Sequence, residues 1–291
     1  MNWKGLSLAA SDRRRSMKVQ LKAAIFLGLY AAGWLAIALS SPLAADAVDV
    51  ELNVTAGGGE IESTTIVIKR LSDGQLWVAN PVRAQQQFSP ASTSKIPHSL
   101  IALENGLATP ETVFQWDSVP RSNRAWNQDH SLESAFQYSV VWVYQEIARA
   151  GGQAVMAHGL KSFQYGNADV GTIDQLTTYW LDGTLSISAQ EQVAFLSKLA
   201  LERLPLSKTT YAAARSIMVS DFHPDWTMRS KTGWWYSKTD MDIGWFVGWL
   251  ECASDNYVFA LNMDMPDTTY LSKRKAVTYR VLQDIGAFDC E

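Results

Sequence analysis

Pro90-Ala91-Ser92-Thr93-Ser94-Lys95-Ile96-Pro97 sets a serine three residues ahead of a lysine, between two prolines. Pro90 biases the residue before it against helix, and an apolar helical pattern follows. Ser92 is therefore predicted at a helix N-terminus, where free backbone N–H groups favour developing negative charge. Lys95 shares its face of that helix, within reach of the Ser92 hydroxyl. Pro97 cannot donate to the Thr93 carbonyl, so the first turn is expected to be irregular. Alone, the pattern reads equally as an N-cap serine and a solvated lysine, and it recurs at Ser272 and Lys275. Its weight comes from order. Ser139-Val140-Val141 and then Lys231-Thr232-Gly233 follow, the second triplet occurring once. Together they supply a nucleophile, a proton carrier and an anion-gripping strand edge, the parts of acyl transfer on a carboxylated amide. Lys231 brings charge and Thr232 a hydroxyl, while Gly233 leaves an edge strand open to close approach by another backbone.

Outward from this stretch, residues 64–68 and 75–79 are β-rich runs joined through Ser72-Asp73-Gly74, a hairpin signal. Residues 92–220 are mostly helical by pattern, most clearly 132–150 and 189–203. The second of these opens with the Ser188–Glu191 capping pattern. Strands return from Thr227, with residues 244–251 and 257–263 around a Ser254-Asp255-Asn256 turn, and a helix over 274–285 closes the chain. That order predicts an α+β fold in which one antiparallel sheet is assembled from both chain ends, about 60–91 plus 221–291. A helical lobe of about 92–220 is inserted, and a ligand pocket is expected at the seam. The last strand and the last helix each cover roughly 20–25 Å, which returns Cys290 to Cys252. A disulfide is expected between these two cysteines, with two free thiols as the alternative.

Arg13, Arg14, Arg15, Lys18 and Lys22 precede an apolar or small run over residues 23–39, followed by Ala45-Asp46-Ala47. This reads as a signal peptide over 1–45, cut near 45–47, with a single mature domain over 46–291 in the periplasm. Met17 would serve as well as Met1 for a start, and the length of the run allows an uncleaved anchor instead. Residues 1–45 hold six of the 25 basic and one of the 29 acidic residues, leaving 19 basic against 28 acidic. So acidic a surface argues against nucleic acid as a partner and makes any local cationic site conspicuous. His98, His130, His158 and His223 stand in no metal-binding spacing. For His98, a packing or surface role is expected.

With Tyr165-Gly166-Asn167, Tyr179-Trp180-Leu181 and Gly244-Trp245-Phe246-Val247-Gly248-Trp249, the three motifs resemble the class D (oxacillinase-type) β-lactamases over residues 64–285. The resemblance implies an acyl-enzyme on Ser92 and an N-carboxylated Lys95 as general base, needing CO₂ or bicarbonate and neither metal nor cofactor. Ser139 would relay a proton to the departing lactam nitrogen. Trp180 would donate to the carbamate, with Val141 and Leu181 packed around it. The N–H groups of Ser92 and Trp234 would form the oxyanion hole, and Lys231, Thr232 and Arg274 would hold the substrate carboxylate. Gly233 and Trp126 complete the expected substrate site; Trp126 and Tyr144 are expected to line the cleft or the lysine pocket, with core packing as the alternative.

Family members usually carry an aromatic residue where Ser94 stands, which predicts weaker carbamate retention here. Trp142 stands where many have proline. Ser254-Asp255-Asn256 spells another class's motif but reads as a turn. Ten residues, Trp234 to Ile243, separate Gly233 from Gly244, as short a loop as in some carbapenem-hydrolysing relatives. Partners implied are small β-lactams, with no membrane after cleavage and a monomer or homodimer. The competing readings are a penicillin sensor and a DD-peptidase, which acylate but deacylate slowly.

Overall fold

The computed structural model describes residues 47–49, 63–237 and 241–290; the expected leader lies outside them. After β1 (Ala47–Asp49), the predicted first hairpin forms from β2 (Thr64–Arg70) and β3 (Leu76–Ala79). Its turn is built as the residue types require. Gly74 takes a positive φ of 80°, which costs glycine nothing, and the Asp73 carboxylate accepts from the Gln75 N–H at 2.9 Å. A short α1 (Pro81–Ala84) leads to the Ser92 segment.

The helical block comprises α2 (Lys95–Glu104), α3 (Leu132–Gln137), α4 (Val141–Phe163), α5 (Ala189–Ala200) and α6 (Lys208–Ile217), with a small ribbon of β4 (Val113–Phe114) and β5 (His130–Ser131). Ser188 and Glu191 form the expected capping box at the start of α5. Strands resume with β6 (Val219–His223), β7 (Trp226–Trp235), β8 (Asp242–Cys252) and β9 (Asn256–Met265), and α7 (Tyr270–Asp284) closes the chain.

The seven-stranded sheet runs β1-β3-β2-β9-β8-β7-β6. The join that unites the chain ends is β2 against β9, antiparallel from Thr64 opposite Met263 to Arg70 opposite Tyr257. One face packs on the helical block through Val67, Val247, Val258 and Ala260. The other packs on α7 through Ile68, Phe246, Phe259 and Leu282. Cys252, ending β8, and Cys290, past α7, are joined, their Cα atoms 5.2 Å apart. Ser254-Asp255-Asn256 is a turn whose Asp255 carboxylate accepts from the Ser72 N–H at 3.1 Å.

Three expectations change. The helix anticipated over 132–150 is two helices, because Ser139 stands at φ 57° between α3 and α4. The strand set begins earlier, at β6, an edge strand exposed throughout; a solvated edge lacks the apolar alternation that marks a half-buried strand. The last helix starts one turn sooner, at Tyr270.

Candidate active site

Ser92 lies in a 3₁₀ turn, Ala91–Ser94, that runs into α2 at Lys95, the irregular first turn that Pro97 demands. Ala91 holds φ 45°, a conformation costly outside glycine, and the surroundings over-determine it. The Ser94 hydroxyl donates to the Ala91 carbonyl at 2.7 Å. Thr93 donates to Pro90 O through its N–H (3.0 Å) and its hydroxyl (2.8 Å). Gln192 on α5 donates to the Thr93 and Tyr165 hydroxyls at 3.0 and 3.1 Å.

The sheet supports the turn from below. Trp245 donates its indole N–H to Ser89 O at 2.9 Å. A Cβ at Gly233 would lie 2.9 Å from Pro90 O and 3.1 Å from Thr93 Cγ2, so the glycine of the lysine-threonine-glycine triplet is what lets the nucleophile turn sit against β7. Ser230, earlier on β7, donates its N–H to Met218 O, away from β8. Backbone groups of alternate strand residues point the same way, so Trp234 presents its N–H to that same open edge, beside the Ser92 turn.

Lys95 is fully buried, and its Nζ donates to Ser92 Oγ at 3.0 Å. It lies 4.9 Å from the centre of the Tyr144 ring, and the Tyr144 hydroxyl is paired with Ser99 at 2.8 Å. Burial, then the charge of Lys231, holds the Lys95 amine well below the usual lysine range.

Trp180 is fully buried as well, yet its indole N–H has no partner. An orphaned buried donor is costly, and it fits an added acceptor. The loop carrying it is pinned. Ser89 donates to Trp180 O at 2.8 Å, Trp235 donates to Leu181 O at 3.0 Å, and Asn167 bonds Ser186 and Thr184. A Cβ at Gly166 would fall 2.0 Å from Ser186 O. Tyr165, its hydroxyl held by Gln192 and pushed up by burial, supports structure and not proton transfer.

Ser139 sits on the break between α3 and α4, its N–H on Phe136 O at 3.2 Å, and the Phe136 ring lies 5.7 Å from Lys231 Nζ. Left-handed backbone at one residue turns the serine out of the helical path. The break is braced by Trp126, whose indole donates to Tyr138 O at 2.9 Å, and by Trp142, which donates to Trp126 O at 2.9 Å. Val141 opens α4 directly after it, half-buried.

Lys231 is buried on β7. Burial, then the neighbouring Arg274 and Lys275 cations, brings its amine down to about 7. Arg274 donates Nη1 to Gly233 O at 2.5 Å. A cavity of about 390 Å³ opens here, lined by Lys231, Thr232, Ser220, Gln137 and Lys275 among others. Lys275, met in the sequence only as part of a chance repeat, therefore belongs to this cationic end. Of the two roles expected for His98, packing is the one that its full burial fits, and its Nε2 lies 2.6 Å from the Tyr179 hydroxyl. Its burial depends on a loop some 80 residues away, which leaves no local signal. Among the described residues no group of three His, Cys, Asp or Glu could hold a metal.

Residues 69–283 match the penicillin-binding protein transpeptidase domain family. The β-lactamase OXA-48 of Klebsiella pneumoniae is 43% identical over 75% of this chain and 82% of its own. The β-lactamase OXA-3 of Pseudomonas aeruginosa is 41% identical over 77% and 80%. Among solved structures, the class D β-lactamase YbXI from Nostoc superposes with a TM-score of 0.75 at 38% identity, covering 77% of this chain and 93% of that one. By these matches the chain belongs to the class D serine β-lactamases.

Proposed function

We propose that this enzyme hydrolyses β-lactam antibiotics through an acyl-serine on Ser92. The observation that carries the reading is the buried Lys95 amine, held well below the usual lysine range with Ser92 Oγ at 3.0 Å, together with the buried, unpaired Trp180 N–H, whose ring packs on His98 next to the Tyr144 wall. A neutral amine attacks CO₂, and the carbamate that results needs donors of that kind. When carboxylated, Lys95 supplies an anionic base for the proton of Ser92 and, later, of the hydrolytic water.

Lys231, Thr232 and Arg274 grip the substrate carboxylate. Ser92 Oγ attacks the lactam carbonyl carbon while its proton leaves towards the lysine. The carbonyl oxygen gathers charge on the N–H groups of Ser92 and Trp234. The carbon–nitrogen bond breaks, and Ser139 delivers the proton the nitrogen takes. Water then cleaves the ester and Ser92 recovers its proton. Val141, Leu181 and Tyr144 keep the pocket apolar, which favours the uncharged amine. Ser94 forms one wall of the turn with its hydroxyl turned onto Ala91 O; a small side chain there supports the expectation of weaker carbamate retention.

Export through a leader over residues 1–45 and action of the 46–291 domain in the periplasm belong to the same reading. The short β7–β8 connection makes imipenem a substrate to try, and no measurable turnover would dismiss it.

Mixing the mature protein with a penicillin, with and without bicarbonate, while following absorbance and intact mass, tests the reading. Rapid multiple turnover supported by bicarbonate is expected. A stable one-to-one adduct on Ser92 without turnover would instead identify a sensor or penicillin-binding protein.

A further inference from the structure

We propose that His98 is a positioning residue for the lysine site, tying the Tyr179–Trp180 loop to the helix that carries Lys95 and so aiming the Trp180 indole at a carboxylated lysine. This rests on the carboxylated-lysine reading above.

His98 follows Lys95 by three residues on α2, and both are fully buried. Its Nε2 pairs with the Tyr179 hydroxyl at 2.6 Å. The imidazole stands edge-on to the Trp180 ring, with centroids 4.8 Å apart and planes at 84°. It meets Tyr179 in the same manner at 5.5 Å, and Tyr179 meets Trp180 at 4.9 Å and 85°. The three rings close a triangle whose neighbour is Tyr144, 6.3 Å from His98, the ring that also walls Lys95.

The Trp180 indole N–H makes no hydrogen bond of its own, so its direction comes from this packing and from the backbone bond to Ser89. Remove the His98 nitrogen and the Tyr179 hydroxyl is left buried without that partner. The loop then loses a directional link to α2, although a ring of similar size could still fill the space. His98 Nδ1 is likewise buried and unpaired, which is unusual for a group kept merely for packing.

The test compares wild type, His98→Phe and His98→Gln by carbon-13 NMR with labelled bicarbonate, reading the lysine carbamate signal directly, with thermal unfolding in parallel. His98→Phe keeps a ring and loses both nitrogens. The bicarbonate needed for half-maximal carbamate should rise about tenfold, the scale of one buried hydrogen bond lost. His98→Gln, whose amide can reach the Tyr179 hydroxyl, should recover part of that. An unchanged midpoint in both variants overturns the proposal, as does a midpoint in which Gln fares no better than Phe while both merely melt earlier. Should His98→Phe not fold, Tyr179→Phe, which keeps the ring and removes the hydroxyl that pairs with His98, decides by the same midpoint: a rise of about tenfold supports, a midpoint equal to wild type overturns. A wild type with no carbamate signal removes the carboxylated-lysine reading and this proposal together, an outcome distinct from a failure confined to the variants.

Discussion

Lys95 and Lys231 are both buried, and burial draws both amines below the ordinary lysine range, yet their surroundings suit them to opposite uses. Lys95 is walled by Tyr144 and donates to the Ser92 hydroxyl, with no carboxylate paired to it among the described residues. Against the weak pull of the Tyr144 ring face, burial lowers the amine well below the ordinary lysine range, which favours the uncharged form that attacks CO₂. Lys231 lines an open cavity with Thr232 and Lys275, beside Arg274. An anionic substrate entering that cavity restores the charge that burial and its cationic neighbours oppose. On the proposed reading, the same residue type becomes a base or an anion grip according to whether a counter-ion can reach it.

The sharpest way to break this division is to remove each amine. Lys95→Ala should lower turnover about 10³-fold or more, the scale of general-base loss, and leave a slowly released adduct on Ser92. Lys231→Ala should act mainly on KM, raising it by about tenfold or more, because the carboxylate grip is lost while the base remains. Steady-state kinetics with a penicillin check both, and equal losses of kcat in the two variants would break the comparison.

A smaller effect is expected from Trp180→Phe, which keeps the packing and removes the donor. Turnover in air should fall about tenfold and recover with added bicarbonate; a loss that bicarbonate cannot repair would count against the indole as the carbamate's donor. Smaller again is the effect of Lys275. The Lys231 amine, held at about 7, is charged below that pH and neutral above it. On the free enzyme, kcat/KM for a carboxylated substrate should therefore fall as pH rises through this value. Lys275→Gln removes a cation that lowers the Lys231 value, so the falling limb should move to higher pH, by less than about one unit for so exposed a group. A limb that stays in place would free Lys275 of any part in the grip.

Much of this division was legible before any coordinates. Ser92, Lys95 and Lys231 announce themselves because their chemistry needs fixed neighbours at short spacing, and Pro90 and Pro97 mark an irregular turn by local sterics alone. The sheet joined from both ends follows from hairpin and strand patterns. Ser139 was found as a motif, but its helix break was not, since apolar helical periodicity runs on through Tyr138-Ser139-Val140 and the interruption lies in the backbone, φ 57° at Ser139 and an extended Val140. β6 escaped because every one of its residues is exposed. His98 and Lys275 took meaning only from distant partners, the Tyr179 loop in one case and the β7 cavity in the other. Long-range placement of that kind leaves no trace in residue spacing.

The most direct test of the two-lysine division is carbon-13 NMR with labelled bicarbonate on wild type, Lys95→Ala and Lys231→Ala. One carbamate resonance is predicted in wild type and in Lys231→Ala, absent from Lys95→Ala. A resonance that survives loss of Lys95, or that disappears with Lys231 while the protein stays folded, would contradict it.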